Sequence, residues 1–464
     1  MGSSAQKLDA HDARRKRIAV IGAGPAGLVT AKTLIQRGAD VVVYERGNAV
    51  GGTWRWGAEN GRQFLYKNLH INTSKRLTAF EGYPFPADTQ PIPDHRDMAR
   101  YMQGYAERFS LLDRTRLNTS VESVVRVEGA PRRWVVRSSD GDEAIYDAVV
   151  VCTGPFNRPQ HVPEFADFGG EYVHSADYRE PGAYVGKRVC IVGAGNSAVD
   201  IASDICTTAD RVVLIARSPV FVLPHTIFGV NFNDVSRALQ AWWIPSGLRR
   251  RISRTLVRIV HGRMTDHGFR PLTHRVHGTI SSTIIQDILF RRVVVKNGIT
   301  AINGQNLEFS DGTSEQFDAL IAATGFVTEF PFLPQGAVAG QGNRLSLYNR
   351  IVPPGQPGLY FVGMINIDTP INFACERQAK WIAEVELKGA MLPDVAEMQR
   401  SIAQKNAWVR KHYGEAARHS VQEESKIYYR ELDRSLRCAL RRRHLASSAS
   451  RHESELGAAS NASV

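Results

Sequence analysis

The chain has 464 residues, of which 43% are hydrophobic, and a formal net charge of +12. This length and apolar content suffice for more than one folded domain. The positive charge is spread along the chain, so we expect no nucleic-acid partner. The five cysteines lack disulfide-like or metal-site spacing, which indicates no metal site and a reducing, cytoplasmic location. No apolar run approaches the ~20 residues of a membrane span and no signal peptide precedes the first predicted strand, so we expect a soluble protein.

A glycine fingerprint follows the first strongly apolar run. Residues 18–21 (IAVI) predict a buried strand, and the next six residues fit the pattern GxGxxG. In this pattern the turn into the following helix presents backbone N–H groups to a pyrophosphate. The next predicted strand, residues 41–44, ends at an acid suited to accept from a free ribose 2′-hydroxyl. The predicted dinucleotide contacts are Gly22, Gly24, Pro25, Ala26, Gly27, Glu45 and Arg46.

A second fingerprint follows residues 189–192 (VCIV) and differs from the first at the end of the next strand. There Arg217 takes the place of the acid and would attract a 2′-phosphate. The predicted nucleotide contacts are Gly193, Gly195, Asn196, Ser197, Arg217 and Ser218. The two fingerprints together predict that one chain binds both FAD and NADPH, as a flavin-dependent oxidoreductase does.

Between the fingerprints, residues 168–178 (FGGEYVHSADY) fit the pattern FxGxxxHxxxY, with Phe168, Gly170, His174 and Tyr178 at its fixed positions. By this motif and its place before the second fingerprint, the chain resembles the class B flavin-dependent monooxygenases, and among them the flavin-containing monooxygenase family. In that family the motif lies at the junction of the two nucleotide domains and supports the NADP-bound state. The resemblance therefore implies that these four residues support the junction and take no part in the chemistry.

The resemblance covers about residues 16–430 and implies further roles. Residues 51–54 look like the segment that runs along the flavin, and residues 72–75 look like the family's Asn-x-Ser-Lys block. Asn72 is implied to be catalytic, because in the family this asparagine faces the oxygen-reacting edge of the flavin. Residues 323–326 look like a strand that returns to the FAD domain, and residues 376–381 like a helix whose N-terminus approaches the flavin. The remaining implied contacts are Gly52, Thr53, Trp54, Thr73, Thr324, Gly325 and Gln378.

The order of the motifs predicts an α/β fold with two Rossmann-like dinucleotide-binding domains, the NADPH domain being inserted into the FAD domain. We expect a flexible N-terminal extension over residues 1–16 and the first part of the FAD domain over residues 17–159. The NADPH domain is expected over residues 160–317 and the second part of the FAD domain over residues 318–430. Residues 431–464 are expected to be basic and then disordered, since they are rich in serine and alanine.

Residues 242–264 combine two tryptophans with apolar residues at helical spacing and arginines on the other faces. A basic amphipathic helix of this kind lies on an anionic membrane surface, covers an active site or packs against its own domain. Peripheral membrane contact is therefore one of three interpretations that the sequence leaves open. We also expect a homodimer.

The resemblance implies a reaction as well as a fold. NADPH would reduce FAD, the reduced flavin would form a C4a-hydroperoxide with O2, and one oxygen atom would pass to a soft nucleophile of a small organic substrate, an amine nitrogen or a sulfide sulfur. Alternatives within the class are Baeyer–Villiger oxidation of ketones and auxin-type oxidative decarboxylation. An NADPH oxidase or a redox-sensing flavoprotein would also bind both cofactors.

Overall fold

The computed structural model describes residues 15–57, 64–130, 132–239, 244–340, 342–415 and 420–461. The α-helices in these ranges are α1 (Pro25–Gln36), α2 (Lys75–Thr78), α3 (His95–Arg108), α4 (Asn196–Ile205), α5 (Phe232–Ala238), α6 (Ser246–His261), α7 (Ile284–Leu289), α8 (Ile371–Lys388), α9 (Val395–Tyr413) and α10 (Ser425–Asn461). The strands are β1 (Arg17–Ile21), β2 (Asp40–Tyr44), β3 (Thr115–Arg116), β4 (Val121–Arg126), β5 (Trp134–Ser138), β6 (Glu143–Tyr146), β7 (Ala148–Val151), β8 (Arg158–Pro159), β9 (Glu171–His174), β10 (Arg188–Val192), β11 (Arg211–Ile215), β12 (Val222–Leu223), β13 (Thr226–Ile227), β14 (Val230–Asn231), β15 (Thr279–Ile280), β16 (Val293–Lys296), β17 (Ile299–Asn303), β18 (Asn306–Phe309), β19 (Ser314–Gln316), β20 (Ala319–Ala322), β21 (Phe326–Val327), β22 (Leu359–Phe361), β23 (Asn366–Ile367) and β24 (Gln422–Glu423).

The first nucleotide-binding unit is built on a parallel sheet with the strand order β22-β7-β1-β2-β3. Strand β1 has four consecutive buried residues after its first residue, as expected for a strand covered on both faces. Ile18 and Val20 of this strand pack toward α1, α3 and α8, whereas Ala19 and Ile21 pack toward the antiparallel sheet β4-β5-β6. The sheet therefore lies between a helical layer and a small antiparallel sheet.

The second unit repeats this architecture with the strand order β16-β11-β10-β20-β9, again all parallel. One face packs against α4 and α7, and the other packs against the antiparallel sheet β17-β18-β19. Strands β10, β11, β16 and β20 occupy the positions that β1, β2, β3 and β7 occupy in the first unit. The structure therefore contains two Rossmann-like units, as the two fingerprints predict.

The point at which the chain returns to the first unit differs from the prediction. Residues 318–323 were expected to re-enter the FAD domain, but β20 lies between β10 and β9 in the second sheet. The return occurs in the antiparallel ribbon of β8 with β21, and the first sheet is then completed by β22 beside β7. An apolar run predicts a buried strand without indicating its sheet, because pairing is a tertiary contact.

The C-terminal region also differs from the prediction. Helix α10 extends from Ser425 to Asn461, where residues 431–464 were expected to be basic and then disordered. Its first turns pack on α8, where Trp381 Nε1 donates to Ser435 Oγ at 3.1 Å. Alanine, leucine and arginine are strong helix formers and favour continuation of the helix. The predicted extension lies outside the described residues up to residue 14, and so do residues 462–464.

Candidate functional site

The glycines of the first fingerprint fall into two kinds. Gly22 has φ +102°, and a Cβ there would lie 2.8 Å from the carbonyl oxygen of Cys152. A Cβ on Gly27 would lie 1.7 Å from the carbonyl oxygen of Gly22, so the fold itself requires both glycines. At Gly24, by contrast, the nearest atom to a Cβ would be the Cα of Gly52, at an ordinary 3.6 Å. Bare backbone at Gly24 therefore fits the approach of a pyrophosphate.

The predicted acid lies against the first fingerprint. Glu45 accepts from the backbone N–H of Ala23 at 2.7 Å and from that of Gly47 at 2.8 Å. Gly51 donates its N–H to the carbonyl of Ala23 at 2.9 Å, which places the segment 51–54 beside the loop. In that segment Gly52 and Trp54 are partly buried, and Thr53 is exposed. Arg46, Pro25 and Ala26 are also partly buried, so these predicted contacts remain partly accessible to a ligand.

A part of the first site was missed in the sequence. Strand β7 is followed by Cys152-Thr153-Gly154, and β20 is followed by the similar run Ala323-Thr324-Gly325. Cys152 N–H donates to the carbonyl of Ile21, and Ala323 N–H donates to that of Val192, both at 2.8 Å. The two Thr-Gly pairs therefore hold equivalent positions beside the two fingerprints. The repeat of an apolar strand followed by Thr-Gly was the signal that could have identified the first pair.

Thr153 and Thr324 differ in their partners. The Thr153 hydroxyl is buried and finds no hydrogen-bond partner in the described part of the chain, as expected where a ligand supplies one. Thr324 donates its hydroxyl to the carbonyl of Gln160, and Gln160 N–H donates to Gly325 at 2.9 Å. Thr324 and Gly325 thus lie beside the second fingerprint, between β20 and the strand β21 through which the chain returns to the first unit.

The second fingerprint shows the same division between glycines. Gly193 has φ +124°, and its Cβ would lie 2.4 Å from the carbonyl oxygen of Ala323, whereas a Cβ on Gly195 would meet no atom within 4 Å. Gly195 and Ser197 are exposed at the N-terminus of α4. Asn196 accepts from Ile280 N–H at 2.9 Å, which fixes this helix end to β15. The exposed end of α4 therefore fits the pyrophosphate of a second dinucleotide.

The predicted 2′-phosphate reader lies at the expected edge. Arg217 is exposed two residues after the end of strand β11, and Ser218 beside it is partly buried. The carboxyl ends of β10 and β11 are adjacent because the strands are parallel. A cation at this position fits NADPH, as the sequence predicts.

A cavity of about 150 Å³ continues from the second fingerprint toward the first unit. Its floor includes the fingerprint, and Thr279 on its wall donates to the carbonyl of Ala194 at 3.1 Å. The complete lining is Ala194, Gly195, Asn196, Pro219, Val220, His277, Gly278, Thr279 and Asn366. Residues 277–279 and Asn366 carry no local motif, so sequence reasoning missed them. Because Asn366 lies on β23 of the first unit, the cavity opens between the two units.

Asn72 lies in a segment that contacts both units. Its side chain is partly buried, and its carbonyl accepts from Asn233 Nδ2 at 2.8 Å, which attaches it to α5. Thr73, also partly buried, contacts Thr78 in α2 through their hydroxyls at 2.5 Å. Asn372 at the start of α8 donates to the carbonyl of Thr78 at 2.8 Å. Asn72 is therefore attached directly to α5, and the segment that follows it is attached to the N-terminus of α8 through Thr73 and Thr78.

Gln378 does not contact a cofactor, contrary to the prediction. Its side chain is fully buried, accepts from Gly363 N–H at 2.9 Å and donates to Tyr428 Oη at 2.8 Å. A Cβ on Gly363 would lie 3.4 Å from the Cβ of Ala26, so this loop lies against the N-terminus of α1. Gln378 holds the loop in place, and its assignment as a contact was wrong because no part of it reaches the surface.

The four motif residues are packed inside the molecule. Gly170 leaves space for β20, since its Cβ would lie 2.6 Å from the carbonyl oxygen of Asp318, and Phe168 packs in the core on that side. His174 Nδ1 accepts from Ala176 N–H at 3.0 Å, and burial lowers the pKa of His174. Tyr178 is 1% exposed and donates to Asp204 at 2.5 Å. The motif therefore supports the edge of the second sheet and its contact with α4.

The comparisons with known proteins agree with two dinucleotide sites. The family model described as flavin-binding monooxygenase-like matches residues 15–440. Flavin-containing monooxygenase 5 of Homo sapiens is 33% identical over 431 residues, which cover 88% of this chain and 80% of the relative. Dimethylaniline monooxygenase (N-oxide-forming) 2 of Cavia porcellus is 31% identical over 445 residues, with coverages of 90% and 82%.

Among solved structures, S-allyl-L-cysteine S-oxygenase from Allium sativum superposes with a TM-score of 0.69 at 25% identity, over 91% of this chain and 88% of the other. The glycine loops, Glu45, Arg217 and the unpartnered Thr153 hydroxyl fit FAD at the first fingerprint and NADPH at the second. The chain therefore belongs to the flavin-binding monooxygenase family and is an FAD- and NADPH-dependent monooxygenase.

Proposed function

We propose that the enzyme transfers one oxygen atom of O2 to the nitrogen of an amine or the sulfur of a sulfide in a small organic molecule. The observation that carries this proposal is the similarity to relatives named for N-oxide formation and for S-oxygenation, over more than four fifths of their lengths. Both named reactions end at an atom with an accessible lone pair. The proposed substrates of this chain are therefore small molecules that carry such a nitrogen or sulfur atom.

The side chains of the protein position the reacting groups. Bound FAD supplies hydride acceptance from NADPH and reaction with O2, which no side chain provides. Asn72 offers the two N–H donors and the carbonyl acceptor of its amide from a segment that both units hold, which suits it to orient a polar group at the flavin. The cavity beside the second fingerprint lies between the units, so a bound nicotinamide there would exclude water. We therefore propose Asn72 as the catalytic residue.

Product stoichiometry tests this function. The purified holoenzyme is supplied with NADPH, O2 and, in separate reactions, a tertiary amine, a thioether, a ketone or no substrate. We expect nearly one N-oxide or sulfoxide per NADPH consumed. An ester or lactone formed only from the ketone would instead indicate Baeyer–Villiger oxidation. Oxidative decarboxylation is tested with an indole-3-keto acid, and H2O2 as the sole product in every reaction would indicate an oxidase.

We also propose that α6 contacts an anionic membrane surface. Helix α6 packs inward through Val257 and His261, whereas Arg251, Arg254 and Arg258 are exposed together on its opposite face. Leu248 and Ile259 flank these arginines and are 50% and 67% exposed. This combination of cations and exposed apolar groups is complementary to anionic lipid headgroups over acyl chains. Every helix in the described ranges is too short or too polar to cross a bilayer. The two tryptophans of the predicted segment, Trp242 and Trp243, lie outside those ranges.

We further propose that the enzyme works in the cytoplasm as a homodimer. All five cysteines are free, and burial raises the pKa of Cys152 and of Cys206 to about 12. Free, weakly acidic thiols are compatible with a reducing compartment. Light scattering of the purified holoenzyme tests the dimer, and a mass of one chain would contradict it.

A further inference from the structure

Two carboxylates on α4 connect the second nucleotide site to the segment that carries Asn72. Asp200 and Asp204 lie one turn apart on one side of the helix. Asp200 accepts from the Tyr66 hydroxyl at 2.6 Å, and Asp204 accepts from Asn68 Nδ2 at 2.7 Å. The N-terminus of α4 is the second fingerprint, whereas Tyr66 and Asn68 precede Asn72 by a few residues in the first unit.

Tyr66 is anchored in the core of the second unit. It is 4% exposed and packs against Tyr178, with ring centroids 5.9 Å apart. Tyr178 itself donates to Asp204, so the last residue of the long motif takes part in the same cluster. The backbone joins it as well, since Lys67 N–H donates to the carbonyl of Arg179 at 2.8 Å. We call Tyr66, Asn68, Tyr178, Asp200 and Asp204 the α4 link.

The other end of the segment is attached to the first unit. Ile71 N–H donates to the carbonyl of Pro93 at 2.9 Å, and His95 N–H donates to that of Leu69 at 3.1 Å. Residues 65–72 therefore run from an anchor on the second unit to an anchor on the first. A change in the order of α4 can reach Asn72 through the chain, because Asp200 and Asp204 hold Tyr66 and Asn68 in the segment that ends at Asn72.

The hydrogen bond from Tyr66 to Asp200 involves charge at neutral pH. Burial raises the pKa of Asp200 to about 6, and its bond from Tyr66 and the proximity of His70 oppose that rise, while Asp204 reinforces it. Above this pH Asp200 is a carboxylate that accepts from a buried hydroxyl. Charge-assisted bonds of this kind are about twice as strong as neutral ones. The Tyr66 hydroxyl would be left without a partner in a buried place if Asp200 were removed, which makes the contact costly to break.

We infer that Asp200 and Asp204 are positioning residues, through which NADP⁺ at the N-terminus of α4 orders residues 65–72 and hence Asn72. The importance of this ordering for oxygen transfer rests on the proposed function. Binding at a helix N-terminus restrains the first turns of that helix, and Asp200 lies within them. The restraint then reaches the Asn72 segment through the α4 link.

Hydrogen–deuterium exchange of the FAD-bound enzyme, with and without NADP⁺, tests the inference. In the native enzyme we expect NADP⁺ to slow exchange of residues 65–72 by about tenfold, equivalent to about 1.4 kcal/mol of added local stability. In the double variant Asp200→Ala, Asp204→Ala, which removes both acceptors, this slowing should vanish, while residues 193–199 remain protected by NADP⁺. The matched control is Asp210→Ala, which removes an exposed acid just beyond α4. Retained protection of residues 65–72 in the double variant would overturn the inference.

A second variant and a second measurement guard against a folding defect. Tyr66→Phe deletes only the hydroxyl and should weaken the NADP⁺ effect on residues 65–72 in the same direction. In turnover, the fraction of NADPH converted to H2O2 should rise severalfold in each link variant, while the KM for NADPH changes by less than about twofold. A rise in KM without a rise in H2O2 would contradict a positioning role. Exchange is measured without substrate, so a failure of the proposed oxygenation would leave the exchange result interpretable.

Discussion

The middle glycine of each fingerprint has room for a side chain as far as the protein itself is concerned. A Cβ on Gly24 would make only van der Waals contact, and one on Gly195 would contact nothing. Gly22, Gly27 and Gly193 are instead required by close carbonyl oxygens. Substitutions at the middle positions therefore separate ligand binding from folding.

Gly24→Val, or the smaller change Gly24→Ala, should leave a folded protein that has lost its flavin. The added carbons occupy the space beside the backbone N–H groups that a pyrophosphate approaches. We expect the FAD content, measured by absorbance after gel filtration, to fall at least about tenfold, equivalent to about 1.4 kcal/mol. Gly182→Ala, at another open position, should keep its flavin. Full FAD content in folded Gly24→Val would disprove the assignment.

Arg217→Ala should raise the KM for NADPH and leave that for NADH nearly unchanged. A charge-assisted contact to a 2′-phosphate contributes about 1.5–3 kcal/mol, which corresponds to roughly a ten- to hundredfold rise in KM. Because Arg217 is exposed, we expect the lower end of this range. Arg292→Ala, at an exposed arginine of the same unit, is the control. Equal use of NADH and NADPH by the native enzyme would show that Arg217 reads no phosphate.

Asn72→Leu should uncouple the enzyme. Leucine has a similar volume but neither donor nor acceptor, so folding and FAD content should survive. We expect oxygen transfer to fall on the order of ten- to a thousandfold, with a matching rise in H2O2 per NADPH, because one aligned hydrogen-bonding group is lost. Product and H2O2 are measured in the same reaction, with Asn303→Leu at an exposed site as the control. Unchanged coupling would reduce Asn72 to a turn residue.

At the scale of elements, α6 differs from α8 in what its faces contact. Helix α8 is buried along most of its length and holds Gly363 through Gln378. Helix α6 is buried on one side only, and its arginine-lined outer face borders an open cavity of about 480 Å³. An amphipathic sequence alone indicates an apolar side, whereas the packing shows which cations remain accessible.

The triple change of Arg251, Arg254 and Arg258 to glutamine should greatly weaken binding to phosphatidylserine vesicles. Each cation near an anionic surface contributes about 1 kcal/mol, so the partition coefficient should fall on the order of a hundredfold. Vesicle sedimentation measures it, and pure phosphatidylcholine vesicles provide the neutral reference. The control is the change of the exposed Arg96, Arg100 and Arg108 on α3 to glutamine, which removes the same charge. Equal binding by both triple variants would contradict a specific role for α6.

At the scale of the whole molecule, a cluster of charged residues around Glu424 joins the two units. It attaches the inserted unit to the chain that follows it, whereas the α4 link attaches the inserted unit to the chain that precedes it. Glu424 is 5% exposed and accepts from Arg275 at 2.5 Å, while Arg250 lies 3.7 Å away. Arg249 contacts both Glu424 and Asp368, at 4.0 Å and 3.6 Å. These arginines come from the inserted unit and the carboxylates from the returning chain. The insertion is therefore attached by more than its two connecting strands.

Glu424→Ala should destabilise the enzyme on the order of 3 kcal/mol. Removal of one buried partner leaves the guanidinium of Arg249 desolvated and poorly compensated. Chemical denaturation followed by flavin fluorescence and by circular dichroism measures the loss. Glu397→Ala, which breaks the more exposed pair with Arg442, should cost less than about 1 kcal/mol. Similar losses in the two variants would show that the cluster adds no special stability.

Local motifs by themselves determined the two nucleotide sites and their order. A Gly-rich turn between a buried strand and a helix is imposed by contacts within a few residues, as the carbonyl of Gly22 beside Gly27 shows. By a similarly local rule, the residue at the end of the next strand, Glu45 or Arg217, indicates whether the ribose carries a free 2′-hydroxyl or a 2′-phosphate. The fold class and both cofactors followed from these short-range constraints.

Only the tertiary structure decided which strands and side chains meet. The sheet that contains β20, the burial of Gln378 and the partners of Tyr178 depend on residues far apart in the chain. Hydrophobic pattern specifies that a strand or side chain is buried, but its neighbours are selected by the packing of whole elements. For the same reason the cavity between the units, with Asn366 on its wall, and the carboxylates of α4 that hold Tyr66 and Asn68 carry no signal in the sequence.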